Sequence, residues 1–150
     1  MIDIDGFRLI NDTYGHSTGD NVLHRVAEFL TTTLFEIDKQ YVNRDVRESI
    51  LGRIGADEFA IFLPSRNEKE GMETAEEIRK KLEKLRFVEI SCHFTASIGI
   101  VLYPRDGSTT KELITKADAS LYHAKEPGHN RVHLYHTQDL LLEKTHSRME

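Results

Sequence analysis

Gly55-Ala56-Asp57-Glu58-Phe59, in the middle of this 150-residue chain, joins two segments with the composition of β-strands. Residues 49–54 precede it and residues 59–63 follow it, so the pattern predicts a tight acidic turn within a hairpin. Small residues let the backbone approach a ligand, and carboxylate oxygens are the ligands that Mg²⁺ prefers. The turn is therefore a candidate site for an ion or a phosphate, with a merely solvated acidic turn as the alternative.

Helix signals flank this hairpin on both sides. Residues 6–14 predict a short helix, and Ser17 with Asp20 matches a capping box that starts a longer one. The apolar residues of the longer helix share one face, namely Val22, Val26, Phe29, Leu30, Thr33 and Leu34. Capping signals at residues 67–70 and 109–112 predict two further helices.

Three more strands are expected outside the hairpin. They are predicted at residues 1–5, at residues 87–103 with residues 97–100 as a buried stretch, and at residues 132–135. The resulting order is β-α-α-β-β-α-β-α-β. This order predicts an α+β fold, in which helices pack against a mainly antiparallel sheet.

The composition limits the classes of function. Apolar residues make up 39% of the chain and charged residues 30%, as in an ordinary soluble domain. No apolar stretch is long enough to span a membrane, and no signal peptide is visible. A single cysteine, Cys92, and the absence of such signals lead us to expect the cytoplasm. A net charge of −5 argues against nonspecific nucleic-acid binding, although it leaves nucleotides open as ligands.

Two further blocks of sequence accompany the acidic turn. They are Asp3-Ile4-Asp5-Gly6-Phe7-Arg8 with Asn11-Asp12, Gly15-His16 and Gly19-Asp20, and Ala117-Asp118-Ala119-Ser120-Leu121-Tyr122-His123-Ala124-Lys125 with Gly128-His129-Asn130-Arg131-Val132. In this order and at this spacing, the three blocks resemble the GGDEF family, the diguanylate cyclases of bacterial cyclic di-GMP signalling. The resemblance covers residues 1–135 and implies a ferredoxin-like sandwich of the nucleotide-cyclase type, with a five-stranded sheet.

The resemblance also suggests domain boundaries. Residues 1–136 would form the GGDEF domain, and its first strand would be truncated, because family members carry several more apolar residues before the equivalent of Asp3. Residues 137–150 would form a tail or linker helix, similar to the connector into an EAL phosphodiesterase domain in tandem proteins. Attached sensor and EAL domains are therefore expected partners.

Metal binding and catalysis are expected where the first strand meets the acidic turn. The resemblance places Mg²⁺ or Mn²⁺ on Asp3, on the carbonyl of Ile4 and on Asp57. It makes Asp57 and Arg8 catalytic, with Asp57 as the base for the ribose 3′-hydroxyl. The alternative is that both aspartates are ordinary strand-end and turn acids.

GTP is the substrate that the resemblance implies, with guanine read by Asn11 and Asp20. An amide and a carboxylate together complement the edge of guanine. The expected substrate-binding residues are Phe7, Arg8, Asn11, His16, Asp20, Gly55, Ala56, Lys125 and His129. As alternatives, Asn11 ends a helix, Asp20 only caps the next one, and Lys125 complements a helix dipole.

Three positions depart from the family pattern. Ala56 replaces the second glycine of the signature, and its methyl group would cost about 1 kcal/mol or more if φ were positive there or if phosphate must pack on its Cα. His129 replaces an arginine near the γ-phosphate, which weakens the charge at neutral pH. The inhibitory Arg-x-x-Asp motif is absent from its expected window, residues 46–49.

The spacing of His129, His133 and His136 would suit a zinc site if these residues lay on a helix. Residues 132–135 predict a strand, in which His133 and His136 would point to opposite faces. Because zinc needs convergent ligands, we expect no zinc site here.

Two functions of different classes remain, with a third less favoured. The first is a diguanylate cyclase that condenses two GTP into cyclic di-GMP across a homodimer, with activity reduced by Ala56 and His129. The second is a degenerate GTP-binding domain that regulates an attached EAL phosphodiesterase. A ferredoxin-like protein- or RNA-binding module is disfavoured by the acidic charge and by the lack of an aromatic stacking pattern.

Overall fold

Short strands alternate with longer helices in the structure, which is a computed structural model describing residues 1–41, 47–91 and 93–140. The elements are β1 (Ile2–Ile4), α1 (Phe7–Tyr14), α2 (His16–Asp38), β2 (Ile50–Arg53), β3 (Glu58–Phe62), α3 (Glu68–Glu83), β4 (Ala96–Ile100), α4 (Thr110–Lys125) and β5 (Val132–Leu134). A 3-10 turn, Lys39–Tyr41, follows α2. This order is the one predicted from the sequence.

The five strands form one sheet in the order β2-β3-β1-β4-β5. Every neighbouring pair is antiparallel except β4 and β5, which run parallel. The prediction of a mainly antiparallel five-stranded sheet with packed helices is therefore confirmed. The first strand of the chain lies at the centre of this sheet, and its acidic residue is thus enclosed on both sides by other strands.

The hydrophobic core is built around β1. Ile2 and Ile4 are almost completely buried, and they pack in one cluster with apolar residues of α1, α2 and α3. On α2, Val26 and Leu30 have no exposed surface, as the spacing of its apolar residues predicts. Burial of the core thus holds β1 rigidly against its surroundings.

Two of the three predicted capping boxes are present. Asn67 Oδ1 accepts a hydrogen bond from Glu70 N at 2.9 Å, and Asn67 N donates to Glu70 Oε2 at 3.1 Å. Thr109 and Glu112 form the same reciprocal pair at the start of α4. Both pairs satisfy backbone groups that a helix terminus would otherwise leave free.

The predicted capping box of Ser17 and Asp20 is wrong. Helix α2 begins one residue earlier, at His16, and no side chain caps it. Gly15 ends α1 and precedes α2 with φ at 86°, a conformation that favours glycine, so the chain turns sharply there. Ser17 consequently lies inside the first turn of α2, and Asp20 is exposed.

The strand predicted within residues 87–103 is much shorter than that range. Only Ala96–Ile100 is strand, whereas Phe87 and Phe94 stack on each other at 5.3 Å between ring centroids in an irregular segment. These phenylalanines are buried in the core, so their apolar side chains reflect burial and not strand structure.

Some residues named in the sequence analysis lie outside the described residues. They are Cys92, Val46 of the window for the inhibitory motif, and residues 141–150 of the predicted tail.

No helix in the described part of the chain has both the length and the apolar character needed to cross a bilayer.

Candidate functional site

The end of β1 meets the acidic turn, as the sequence predicts. The backbone N–H of Ile4 donates to the carbonyl of Asp57 at 3.1 Å. In the register of the β1–β3 pair, Asp3 lies directly opposite Glu58, not Asp57. The structure therefore brings together Asp3, Ile4 and Asp57, and it adds Glu58, which the sequence analysis treated only as a turn acid.

Asp3 is the buried acid of this group, with 6% of its surface exposed. The pKa of its carboxyl is raised to about 6, mainly by burial and in smaller part by the nearby Asp57 and Glu58. Lys125 opposes this effect, because its Nζ lies 2.9 Å from Asp3 Oδ2. The carboxylates of Asp3, Asp57 and Glu58 outnumber the single ammonium group of Lys125. An additional cation would therefore be stabilised at this place.

The donor set at Asp3 fits a hard divalent cation. Carboxylate oxygens and the carbonyl of Ile4 are ligands that Mg²⁺ prefers, with phosphate oxygens completing the coordination. Within residues 1–41, 47–91 and 93–140, no three His, Cys, Asp or Glu side chains are arranged to hold a metal ion by themselves. A metal at this site would thus need oxygens from the backbone and from a ligand.

Arg53 organises the acidic turn. Its Nε donates to the carbonyl of Gly55 at 3.0 Å, and its Nη2 donates to the carbonyl of Ala56 at 2.7 Å. A Cβ on Gly55 would come within 2.7 Å of Glu58 Oε2, so a larger residue here would displace the Glu58 carboxylate. Ala56 does not have a positive φ, and the backbone strain considered for its methyl group is therefore absent.

The N-terminus of α1 lies directly after the acidic end of β1. Gly6 precedes the helix with φ at 71°, no side chain caps it, and its first turn contains no acidic residue. Its free N–H groups are therefore suited to bind an anion. Phe7 is buried there, whereas the side chain of Arg8 is 94% exposed and lies 3.8 Å from Asp12.

Asn11 faces a neighbouring glycine across the α1–α2 contact. Its Oδ1 is buried and has no hydrogen-bond partner. A Cβ on Gly19 would come within 1.8 Å of that oxygen and 3.2 Å of Phe7 Cζ. Gly19 thus makes the space that Asn11 occupies. The other two predicted residues of this segment, His16 and Asp20, are exposed on α2.

An open cavity of about 520 Å³ lies between α2 and the β2–β3 hairpin. Its walls include the apolar side chains of Leu23, Leu51 and Phe59, and Asp20 and Arg53 supply charged groups. A concave apolar site with a few polar groups is typical of small-molecule binding. The sequence predicted Asp20 but missed Arg53, whose only signal was its position just before the signature turn.

The segment after α4 is held in an unusual conformation. His129 and Asn130 are consecutive non-glycine residues with φ of 61° and 50°. Asp5 accepts a hydrogen bond from Asn130 N at 3.0 Å. The same carboxylate accepts hydrogen bonds from Thr95 Oγ1 at 2.7 Å and Ser97 Oγ at 2.8 Å. Asp5 therefore ties β1, β4 and the His129 segment together, a role that the sequence analysis missed.

Replacing Asp5 by alanine is expected to destabilise the protein by about 3 kcal/mol or more, because three hydrogen bonds to a charged group are lost, each worth about 1.5–3 kcal/mol, and water replaces them only in part at this half-buried position. Urea denaturation of the two proteins measures this free energy. Asp12→Ala is the control: Asp12 is exposed, and its removal should cost under about 0.5 kcal/mol. Equal effects of the two substitutions would contradict the assigned role of Asp5.

The histidines considered for zinc lie closer together than predicted. The rings of His133 and His136 have centroids 5.7 Å apart, because β5 ends at Leu134 and the alternation of the strand does not extend to His136. His133 Nε2 lies 2.9 Å from Asp139 Oδ2, which also accepts a hydrogen bond from His136 N at 2.8 Å. The argument from strand alternation was thus wrong.

Comparison with known proteins identifies the architecture of this site. The family model described as "Diguanylate cyclase, GGDEF domain" matches residues 1–131. A bifunctional diguanylate cyclase/cyclic di-GMP phosphodiesterase, MucR of Pseudomonas aeruginosa, is 38% identical over 134 residues, which cover 87% of this chain and 18% of MucR. Diguanylate cyclase A of Treponema denticola is 36% identical over 136 residues, covering 89% of this chain and 34% of that protein.

The solved structures include the GGDEF domain of TpbB (YfiN) from Pseudomonas aeruginosa. It superposes with a TM-score of 0.80 at 29% identity, covering 95% of this chain and 78% of that one. The present chain spans only 18% and 34% of the length of the two curated relatives, so their other segments have no counterpart in it.

Proposed function

Because this chain belongs to the GGDEF domain family of bacterial cyclic di-GMP signalling, we propose that it binds GTP with Mg²⁺ and condenses two GTP into cyclic di-GMP, releasing pyrophosphate. The observation that carries the proposal is the buried carboxylate of Asp3, placed beside Asp57, Glu58 and Lys125. A buried carboxylate with other charged groups beside it has no evident structural purpose, since an apolar centre of the sheet would be more stable. A domain that uses cellular GTP would work in the cytoplasm.

Asp57 would accept the proton of the ribose 3′-hydroxyl, and that oxygen would attack the α-phosphorus of the second GTP. Bound Mg²⁺, held by Asp3, Asp57 and the Ile4 carbonyl, would neutralise phosphate charge and acidify the hydroxyl. Lys125 would exchange part of its contact with Asp3 for a phosphate oxygen. The free N–H groups at the start of α1, together with Arg8, would bind the remaining phosphates.

Guanine would be bound on the α2 side of the site. Asp20 borders the 520 Å³ cavity and would accept the N1–H and N2–H groups of the base. The amide of Asn11, whose Oδ1 has no partner, would contribute the remaining hydrogen bonds. Each domain would hold one GTP, so the reaction requires two domains facing each other across a twofold axis.

The direct test is incubation of the chain with GTP and Mg²⁺ while it is fused to a parallel dimeric coiled coil. Formation of cyclic di-GMP is followed by chromatography. We expect product from the fused protein and none from its Asp3→Asn variant. If no product forms from the dimeric protein although GTP binds, the cyclase proposal is wrong.

A degenerate GTP-binding domain that regulates an attached EAL phosphodiesterase is the second candidate. His129 favours it, because an exposed imidazole stands where the family has arginine, and it lacks the planar guanidinium that binds a phosphate through two parallel hydrogen bonds. Calorimetry separates the two functions: this candidate requires binding of GTP with Mg²⁺ and no product. Restored turnover in His129→Arg would show that this residue limits catalysis.

Gly19→Ala is expected to weaken GTP binding at least tenfold. The new methyl group would overlap Asn11 Oδ1 and push the amide out of its position at the base. Gly71→Ala is a matched control, since Gly71 also lies in a helix but nothing lies within 4 Å of its added Cβ. Calorimetric titration of both variants with GTP and Mg²⁺ measures the difference. Unchanged affinity in Gly19→Ala would contradict the assignment of Asn11.

A further inference from the structure

A strained stretch of backbone follows Lys125, the residue of α4 that contacts Asp3. His129 and Asn130 both have positive φ, in the left-handed region that is unfavourable for most residues other than glycine. The stretch folds back onto the end of α4, because the N–H of His129 donates to the carbonyl of Lys125 at 3.1 Å. Backbone strain persists only where the surrounding structure imposes it, and it is concentrated at functional sites.

Hydrogen bonds to two different elements hold Asn130 in this conformation. Its backbone N–H donates to Asp5, the residue next to β1. Its side chain is bound by α3: Oδ1 accepts from Arg79 Nη1 at 2.9 Å, and Nδ2 donates to Glu83 Oε1 at 3.1 Å. An asparagine amide offers an acceptor at one end and donors at the other, and both ends are used here. Asn130 thus links α3 to the end of the strand that carries Asp3.

Arg79 is the well-packed member of this link. Its side chain is only 14% exposed, and its guanidinium also contacts Glu76 at 3.0 Å and Glu83 at 3.3 Å. A planar guanidinium that is bound at several of its nitrogens has little freedom to move. Arg79 therefore differs from the solvated cations of α3, such as Lys81, whose ion pair with Glu77 is exposed.

We propose that Arg79 is a positioning residue for the nucleotide: through Asn130 it fixes the backbone that carries His129, and so places the imidazole for contact with a terminal phosphate. This inference rests on the proposed function, in which His129 stands where the family has an arginine near the γ-phosphate. Without the link to α3, the strained pair would relax toward negative φ and carry the imidazole away. A helix outside the phosphate site would thus control how well a triphosphate is distinguished from a diphosphate.

The relative affinity for GTP and GDP tests this role, because a substitution that only loosens the fold weakens the binding of both nucleotides alike. Calorimetric titration in the presence of Mg²⁺ gives both dissociation constants for the unchanged chain, for Arg79→Met and for Asn130→Gly. Methionine is long enough to fill the place of arginine but has no donor. Glycine adopts the left-handed conformation freely and keeps the N–H that binds Asp5, so it removes only the link to α3.

We expect each variant to bind GTP about fivefold more weakly or worse, and GDP within about twofold of the unchanged chain, since one contact to the terminal phosphate is lost. Both substitutions break the same hydrogen bond, so the double variant should bind GTP no more weakly than the weaker single variant. Lys81→Ala is the control, because it removes an exposed ion pair from the same helix, and it should change neither affinity.

Hydrogen exchange of the His129 and Asn130 amides gives a second readout that needs no nucleotide. It should be about tenfold faster or more in Arg79→Met and unchanged in Lys81→Ala. Unchanged exchange in Arg79→Met, equal losses for GTP and GDP, or additive losses in the double variant would each overturn the inference while leaving the proposed function intact. If the unchanged chain binds neither nucleotide, the proposed function is wrong, and the role of Arg79 falls with it.

Discussion

Asp57→Asn is expected to reduce cyclic di-GMP formation by roughly 10³-fold or more, because in the proposed mechanism it removes both a metal ligand and a general base, and a general base alone contributes about 10²–10⁴-fold. The amide has nearly the same size as the carboxylate, and the contact of Asp57 with Ile4 is made by its backbone carbonyl. The fold should therefore be retained. Turnover of GTP by the dimeric fusion at saturating Mg²⁺ is the measurement.

The control for this experiment is Glu73→Gln, which removes one exposed carboxylate from α3. It should change neither turnover nor stability appreciably. Comparison with Glu58→Gln would also show which acid opposite β1 does the chemistry, because Glu58 rather than Asp57 pairs with Asp3. Turnover of Asp57→Asn within tenfold of the unchanged protein would contradict its role, and a larger loss in Glu58→Gln would assign that role to Glu58.

The sequence predicted which elements meet at the candidate site, but it did not predict the register in which they meet. A turn composed of small and acidic residues is recognisable locally, and so is a strand that ends in an acid. The pairing of Asp3 with Glu58 depends on how two distant strands align, which the core fixes through Ile2, Ile4 and Phe59. A shift of one residue in the register of β1 and β3 would change which acid faces Asp3, and no local sequence pattern indicates this register.

Two features that the sequence does not report depend on contacts made in the folded protein. The φ of Ala56, in the hairpin that Arg53 braces, is not positive, so backbone strain is no reason to expect weak nucleotide binding. Asp5 looked like part of an acidic strand end, yet its three donors come from residues 95, 97 and 130. Contacts between residues so far apart in the chain become visible only in the folded protein.

Gly99→Ala is expected to destabilise the fold by about 3 kcal/mol or more, at the upper end of overpacking effects. A Cβ on Gly99 would lie 2.5 Å from the backbone nitrogen of Leu121, 2.8 Å from the carbonyl oxygen of Ala117 and 2.9 Å from Leu121 Cα. All three atoms belong to the backbone of α4, which cannot yield by a change of rotamer. The whole helix would have to move away from β4.

The same displacement would carry Lys125 away from Asp3, since this lysine ends α4 and its Nζ lies 2.9 Å from the carboxylate. Gly52→Ala is the control, because Gly52 is also a strand glycine but has nothing within 4 Å of an added Cβ, and its substitution should change stability by under about 1 kcal/mol. Urea denaturation measures both variants. Equal denaturation midpoints and slopes for the two variants would show that the position of α4 does not depend on its close approach to Gly99 of β4. The packing of this helix would then need another explanation.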